Sequence, residues 1–245
     1  MLIAQRTLLC LAATAFVIVM ATAFAAAQAP TAPTVWDGVY TDAQAERATA
    51  TFGSTCSRCH SLTEDGSGAR PLTGTKFWEG YTQKTVGDLL KYVSTNMPNG
   101  AAAGSLSAST YNDLVALILK SNGFPAGKTE LAPDTIANVQ IIPKDGPGEL
   151  PANTLVRIVG CLGPKAGSDW TLTNATNPER TEKTGAGPED ASRPLGSRTL
   201  ALKFVLTRLD AFVGQRMSVT GLLLGAGGAN GINVSTVNKV ADACP

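Results

Sequence analysis

The stretch TFGSTCSRCHSL, residues 51–62, decides how the first half of this chain folds. It holds Cys56, Cys59 and His60 in the order C-x-x-C-H, the attachment signature of a c-type haem. Two cysteines at this spacing can form thioethers with the two vinyl groups on one edge of a porphyrin, and the adjacent histidine can then ligate the iron. His60 is the only histidine among 245 residues. The sequence therefore predicts one covalent haem with His60 as an iron ligand.

Three other interpretations of the motif remain open at this point. A thioredoxin-type C-x-x-C pair expects a βαβ context, which the surrounding sequence does not show. A zinc site needs about four nitrogen or sulfur ligands, and the other cysteines, Cys10, Cys161 and Cys244, lie far away in the sequence. A chance occurrence is the third alternative. An export signal favours the haem, because c-type haem is attached to exported proteins.

The first 27 residues are typical of a secretory signal peptide. A basic start at Arg6 is followed by an apolar run over residues 8–27, and Ala25-Ala26-Ala27 gives a small-residue cleavage pattern before Gln28. An uncleaved membrane anchor is the alternative, since the run is nearly long enough to span a bilayer. The remaining chain has equal numbers of basic and acidic residues, which gives no reason to expect nucleic acid or an anionic membrane as a partner. We therefore expect a periplasmic protein.

The first half also carries the signals of three helices. Thr41 can cap the first, where Gln44 can complete a capping box; Thr85 can cap the second and Ser107 the third. Apolar residues follow each cap at spacings of three and four, as on the buried face of a helix. The Gly-, Ser- and Pro-rich stretch 64–75 is expected to be a loop. This pattern predicts a small helical shell that could enclose one flat cofactor.

Met97 is the candidate for the second axial ligand of the iron. With no second histidine, bis-histidine ligation is excluded by composition. Two of the four methionines lie in the signal segment, which leaves Met97 and Met217. Pro98 blocks continuation of the helix before it and favours an extended segment that could cross the second haem face. The alternative is a methionine that fills the core, and this is the prediction for Met217.

Residues 35–127 resemble a class I monohaem cytochrome c, especially the domains that partner bacterial quinoprotein dehydrogenases. The resemblance covers about ninety residues. It rests on an aromatic residue, Phe52, four positions before the first haem cysteine, and on CSRCH itself. It also rests on three further segments: RPLTG at 70–74, FWEGYTQKTVGDLLKYVSTNMP at 77–98 and LSASTYNDLVALILKSNGFPAG at 106–127.

The resemblance implies an all-α class I cytochrome c domain, which we place at residues 28–127, and roles for several side chains. It implies that the Pro71 carbonyl accepts the Nδ1 proton of His60, a bond that would fix the ring and raise its basicity. It implies that Trp78 packs beside the haem or its propionates, although a core aromatic is an equal alternative. One departure is Ala48, where the family usually has a glycine that lets the two terminal helices cross closely.

The function implied is electron transfer rather than catalysis. The protein would accept electrons from a dehydrogenase, such as a quinoprotein, and pass them to an oxidase or cytochrome of the respiratory chain. Methionine ligation favours ferrous iron and a relatively high potential, and no acid–base or nucleophilic constellation accompanies the haem motif. One alternative is a haem-based gas or redox sensor in which a small gas displaces Met97. Another is a solute-binding β domain with a haem accessory.

The second half has a different periodicity. Residues 128–150 contain three prolines, with a fourth at Pro151, and are expected to be a linker with one docked apolar piece at 139–142. Residues 151–245 are expected to form a small all-β barrel or sandwich, possibly OB-like. Its strands are predicted at 154–162, 170–176, 199–207, 215–224 and 232–237, and segment 177–198 is predicted to be a mobile loop.

Two further predictions concern side chains of this β domain. Cys161 and Cys244 are expected to pair in an oxidising compartment, with two free buried thiols as the alternative. Trp170, Arg157 and Arg180 could form a small ligand or oligonucleotide surface.

Overall fold

The computed structural model describes residues 32–64, 70–100 and 102–244. The predicted signal peptide at 1–27, with its anchor alternative, lies outside these residues. Across the described ranges, no helix combines the length and the apolar character that a membrane crossing would require.

The first part of the chain is helical, as predicted. Its helices are α1 (Asp42–Thr51), α2 (Gly74–Tyr81), α3 (Val86–Asn96), α4 (Ala108–Ser121) and the single-turn α5 (Pro133–Ile136). The three predicted caps are confirmed: the side chains of Thr41, Thr85 and Ser107 each accept a hydrogen bond from a backbone N–H in the first turn. These bonds satisfy donors that have no partner within a helix.

Two details differ from the sequence prediction. Gln44 does not return a bond to the Thr41 amide. Its buried side chain instead bonds both the N–H and the carbonyl of Leu131, at 2.8 and 2.9 Å, because a buried amide must satisfy both of its ends. Helix α2 was missed, since the predicted loop 64–75 extends into its first residues. Gly74 begins this helix with a φ of 62°, which favours glycine.

The core of the helical region lies where α1 packs against α4. Ala48 is fully buried in α1, so the fold accommodates the methyl group that replaces the expected glycine. Other core residues lie on the buried faces of the helical segments or just after α4: Ala45, Phe52, Phe77, Leu89, Leu114, Val115, Ile118 and Phe124.

The segment predicted as a linker is anchored to this helical core. Strand β4 (Gln140–Ile141) pairs antiparallel with β3 (Lys84–Thr85), and Val139 and Ile141 are fully buried. The docked piece at 139–142 is therefore confirmed. Leu131 is also fully buried, so more of the segment is packed than the sequence indicated.

The last part of the chain is β-rich, as predicted. Its strands are β5 (Leu155–Ala166), β6 (Asp169–Ala175), β7 (Glu179–Arg180), β8 (Arg198–Lys203), β9 (Arg216–Leu223) and β10 (Ile232–Ala241). They form one six-stranded sheet in the order β6-β8-β10-β9-β5-β7, in which β6 also pairs with β5 and only β8 and β10 run parallel. Met217 lies in the core of this region, as predicted.

The prediction of five strands was wrong in two places. The strand predicted at 199–207 ends at Lys203 because Phe204 takes a φ of 58°, which ends the extended backbone. Phe204 and Leu206 are consequently exposed. The sixth strand, Glu179–Arg180, lies in the segment predicted as a mobile loop and pairs with Val156 and Arg157.

That loop prediction was wrong in a second respect, because the segment packs against the sheet. Asp190 is fully buried and accepts hydrogen bonds from Gly187 N–H and Ser218 Oγ, at 2.7 and 2.6 Å. Arg216 is also buried and donates from Nε to the Asp190 carbonyl at 3.0 Å. Trp170 lies in the sheet core, so it does not share an open surface with Arg157 and Arg180.

Cys161 and Cys244 form the predicted disulfide, with their Cα atoms 5.6 Å apart. The bond ties the last residues of the chain to strand β5. The Cys244 N–H also donates to the Gly214 carbonyl at 3.1 Å, so the terminal segment is fixed by two contacts.

Candidate functional site

The C-x-x-C-H motif follows directly from helix α1. The chain continues as a π-helical turn over Phe52–Cys56, in which Ser57 N–H bonds the Phe52 carbonyl at 3.0 Å. A further turn bonds Cys59 N–H to the Cys56 carbonyl at 3.0 Å. Cys56 is half-buried and Cys59 is exposed, and burial raises the pKa of the Cys56 thiol. One thiol therefore faces the interior and the other lies at the protein surface.

His60 begins the short strand β1 (His60–Ser61), which pairs in parallel with β2 (Arg70–Pro71). The ring nitrogen Nδ1 lies 3.2 Å from the carbonyl oxygen of Arg70. The expected acceptor was the Pro71 carbonyl, so this prediction was wrong by one residue. The parallel register explains the difference, because it sets His60 directly opposite Arg70. A proton on Nδ1 would be donated to this carbonyl, which leaves Nε2 available to bind a metal.

Met97 lies immediately after helix α3, on extended backbone, as the sequence predicted. Its N–H still donates to Val93, while its carbonyl accepts from the Tyr111 hydroxyl at 2.6 Å and from Gly104 N–H at 3.1 Å. The Tyr111 hydroxyl also accepts from Leu106 N–H at 3.3 Å. Helix α4 thus holds the Met97 segment through one buried side chain.

We expect Tyr111→Phe to destabilise the protein by about 1–2 kcal/mol, because it leaves the Met97 carbonyl with one partner fewer in a part-buried position. Urea unfolding of the variant and the wild type measures this difference. Thr110→Val is the matched control, since it removes the neighbouring hydroxyl, which is exposed and bonds only Ser107. A Tyr111→Phe protein as stable as the control would contradict this role.

One cavity brings the five predicted site residues together. Cys56, Cys59, His60, Pro71 and Met97 all line it, and it holds about 930 Å³ of space outside protein atoms, part of it open to solvent. The rest of the lining is mainly apolar and includes Phe52, Leu72, Phe77, Leu89, Val93, Leu106, Leu114 and Ile118.

The aromatic lining differs from the expectation. Trp78 packs edge-on against Phe77 and Phe124, with ring centroids 5.7 Å apart in both pairs, and is not among the residues that line the cavity. Phe77 and Tyr81 line it instead. Phe77 and Tyr81 are four positions apart in FWEGY, and this spacing could have predicted that they lie on the same face of a helix. Burial, with a smaller contribution from Tyr92, raises the pKa of Tyr81 to about 12, so its hydroxyl is neutral at physiological pH.

The donor set of this cavity fits a c-type haem. Two thiols three residues apart can form the two thioethers, and an imidazole follows directly. A thioether side chain on a separate segment reaches the same cavity, and these are the two ligand types of histidine–methionine cytochromes. The apolar lining suits a flat, largely hydrophobic macrocycle.

Fold and site together define a class I monohaem cytochrome c segment within the helical region. Residues 43–118 match the family model described as cytochrome C oxidase, cbb3-type, subunit III, which is under a third of the chain. Cytochrome c domains of this family bind c-type haem covalently and act in haem-based electron transfer. Neither a curated protein nor a solved structure gives a significant match to the chain.

Proposed function

We propose that this protein is a periplasmic electron carrier with a single covalent haem. Cys56 and Cys59 form the thioethers, and His60 and Met97 ligate the iron. The single observation that carries the proposal is the cavity in which these four side chains meet. The haem supplies a one-electron redox centre.

The residues of the chain hold this centre and limit its chemistry. Hydrogen bonds from Tyr111 and Gly104 fix the Met97 segment, so an added ligand must compete with a restrained thioether. The apolar lining offers few polar groups to solvate charge, which disfavours the more highly charged oxidised iron and supports a high potential. No group in this lining is arranged for acid–base or nucleophilic catalysis, and we propose no enzymatic activity.

The exposure of the haem-attachment motif supports the proposal that other redox proteins are the partners. Cys59 is exposed at the mouth of the cavity, so the attachment edge lies where another redox protein can approach. A dehydrogenase, such as a quinoprotein, would donate electrons there, and an oxidase or cytochrome of the respiratory chain would accept them. The Cys161–Cys244 disulfide supports the periplasmic location, since such bonds persist in oxidising compartments.

We further propose that the β-rich region is an OB-type barrel. The support is its pairing order: five strands follow one another as β5, β6, β8, β10 and β9, with pairing from β9 back to β5. OB folds are partly open five-stranded barrels. An experimental structure of the full chain tests this proposal, and a flat open sheet would contradict it.

Carbon monoxide binding separates the carrier from a gas sensor. We expect the oxidised protein to accept one electron per chain. The reduced protein should keep its absorption spectrum under carbon monoxide and should be reoxidised rapidly by a cytochrome or oxidase acceptor. Absorption spectroscopy, with stopped flow for the reoxidation, measures these three properties. A rapid carbon monoxide adduct of the wild-type protein would favour the sensor, because it would mean that Met97 is readily displaced.

A further inference from the structure

Arg180 in strand β7 links the β-rich region to the helical region, and both belong to one compact unit. Its N–H bonds Gln83 Oε1 at 2.9 Å, and its Nε bonds the Thr82 carbonyl at 3.0 Å. The Gln83 amide completes the contact by donating to the Pro178 carbonyl at 3.3 Å. Arg180 is therefore fixed against the segment that follows helix α2.

The charge of Arg180 is not neutralised at this junction. Its Nη2 atom is buried and has no hydrogen-bond partner, and burial lowers the pKa of the guanidinium. Within the described ranges, no carboxylate forms an ion pair with it. A partly buried guanidinium without an anion is costly, because the desolvation of the charge is not offset.

Lys84 places a second cation beside the first. It is half-buried, and burial together with the neighbouring Arg180 lowers its pKa. Asp88 and Glu182 act in the opposite direction but more weakly, and Asp88 already bonds Thr85 at the start of helix α3. No ion pair of Lys84 is present in the part of the chain that the structure describes. Two partly desolvated cations therefore have no ion-pair partner among the described residues.

Lys84 lies next to a residue that lines the cavity. The Lys84 Nζ atom is 5.5 Å from the ring centroid of Tyr81, and Tyr81 lines the cavity. Thr82, whose carbonyl holds Arg180, is the next residue. A negatively charged group that extends from the cavity past Tyr81 would therefore meet Lys84 and the segment that holds Arg180.

We propose that Lys84 and Arg180 together bind a carboxylate, and that a propionate of the haem supplies it. This inference rests on the proposed function, since it requires haem in the cavity. The β-rich region then completes the haem site by contributing Arg180, which gives a physical reason for the fusion of the two regions. Removal of either cation should favour the more positive, oxidised iron and lower the midpoint potential.

The test is a spectroelectrochemical titration of the full-length, haem-loaded protein. We expect Arg180→Gln and Lys84→Gln each to shift the redox equilibrium about tenfold toward the oxidised form, which is about 59 mV for one electron. Lys183→Gln is the matched control: it removes the same charge three residues from Arg180, but from an exposed side chain, and should shift the equilibrium less than twofold. Arg180→Lys should restore most of the wild-type potential, because it keeps the charge while losing the bond to Thr82.

Three outcomes would overturn the proposal. The first is an unchanged potential in Arg180→Gln with a normal absorption spectrum. The second is an equal shift in Arg180→Lys, which would indicate packing alone. The third is evidence that a free anion, and not a propionate, binds the two cations. Added sulfate would then raise the unfolding temperature of the wild type but not of Arg180→Gln, and the two proteins would have equal midpoint potentials. A wild-type protein that carries no haem would instead refute the proposed function itself.

Discussion

Replacement of Met97 with alanine is expected to lower the midpoint potential of the haem-loaded protein by on the order of 0.2 V, about a quarter of the ~0.8 V range that axial ligands span. Methionine stabilises ferrous iron, so its loss should favour the oxidised state. The same variant should lose the methionine-to-ferric-iron charge-transfer band and gain a carbon monoxide adduct in the reduced form. A potentiometric titration followed by absorption spectroscopy measures all three changes.

Met217→Leu is the control for this experiment. Met217 is the only other methionine among the described residues and is buried in the core of the β-rich region. A swap for leucine conserves volume and should leave both the spectrum and the potential unchanged. If Met97→Ala kept the charge-transfer band and the wild-type potential, Met97 would not be the ligand.

The double substitution Cys161→Ala with Cys244→Ala is expected to destabilise the β-rich region by about 4 kcal/mol in the chain-entropy account of a long closed loop. The two cysteines are 83 residues apart and enclose strands β6 to β10. A loss of this size is a large fraction of the free energy of unfolding of a whole domain, which is typically about 5–15 kcal/mol. Denaturant unfolding followed by far-ultraviolet circular dichroism measures it.

Chemical reduction provides a matched control for the disulfide. Treatment of the wild type with a thiol reductant should lower its unfolding midpoint to that of the double variant, while the variant itself should not respond. The haem spectrum should be the same in both proteins, because thioethers are not reduced by thiols. An unfolding midpoint shared by the variant and the oxidised wild type would show that the bond does not stabilise the fold.

The helical site was largely predictable because its signals are local. A cap, an apolar stripe and the C-x-x-C-H spacing each act within a few residues, and Thr41, Thr85 and Met97 lie where those signals placed them. The acceptor of His60 Nδ1 was missed by one residue because the parallel register of β1 and β2 is a pairing between two separate segments, which no local pattern fixes. Gln44 bonds Leu131, 87 residues away, and no local pattern reports such a contact.

The β-rich region was less predictable because strand ends and pairings depend on distant partners. The alternation of apolar residues after Leu200 continues through Leu206, yet the backbone turns at Phe204. Strand β7 is two residues long and exists because it pairs with β5. The contact of Arg180 with Thr82 joins residues 98 positions apart, so its charge could not be associated with the haem motif from the sequence.

The most direct test of the account is the intact mass of the purified protein after acid–acetone extraction, a treatment that removes haem not bound covalently. We predict a mass gain of one haem in the wild type. We predict no such gain in a variant in which Cys56 and Cys59 are both replaced by serine. A wild-type protein with no added mass and no retained pigment would contradict the central claim that this cavity holds a covalent haem.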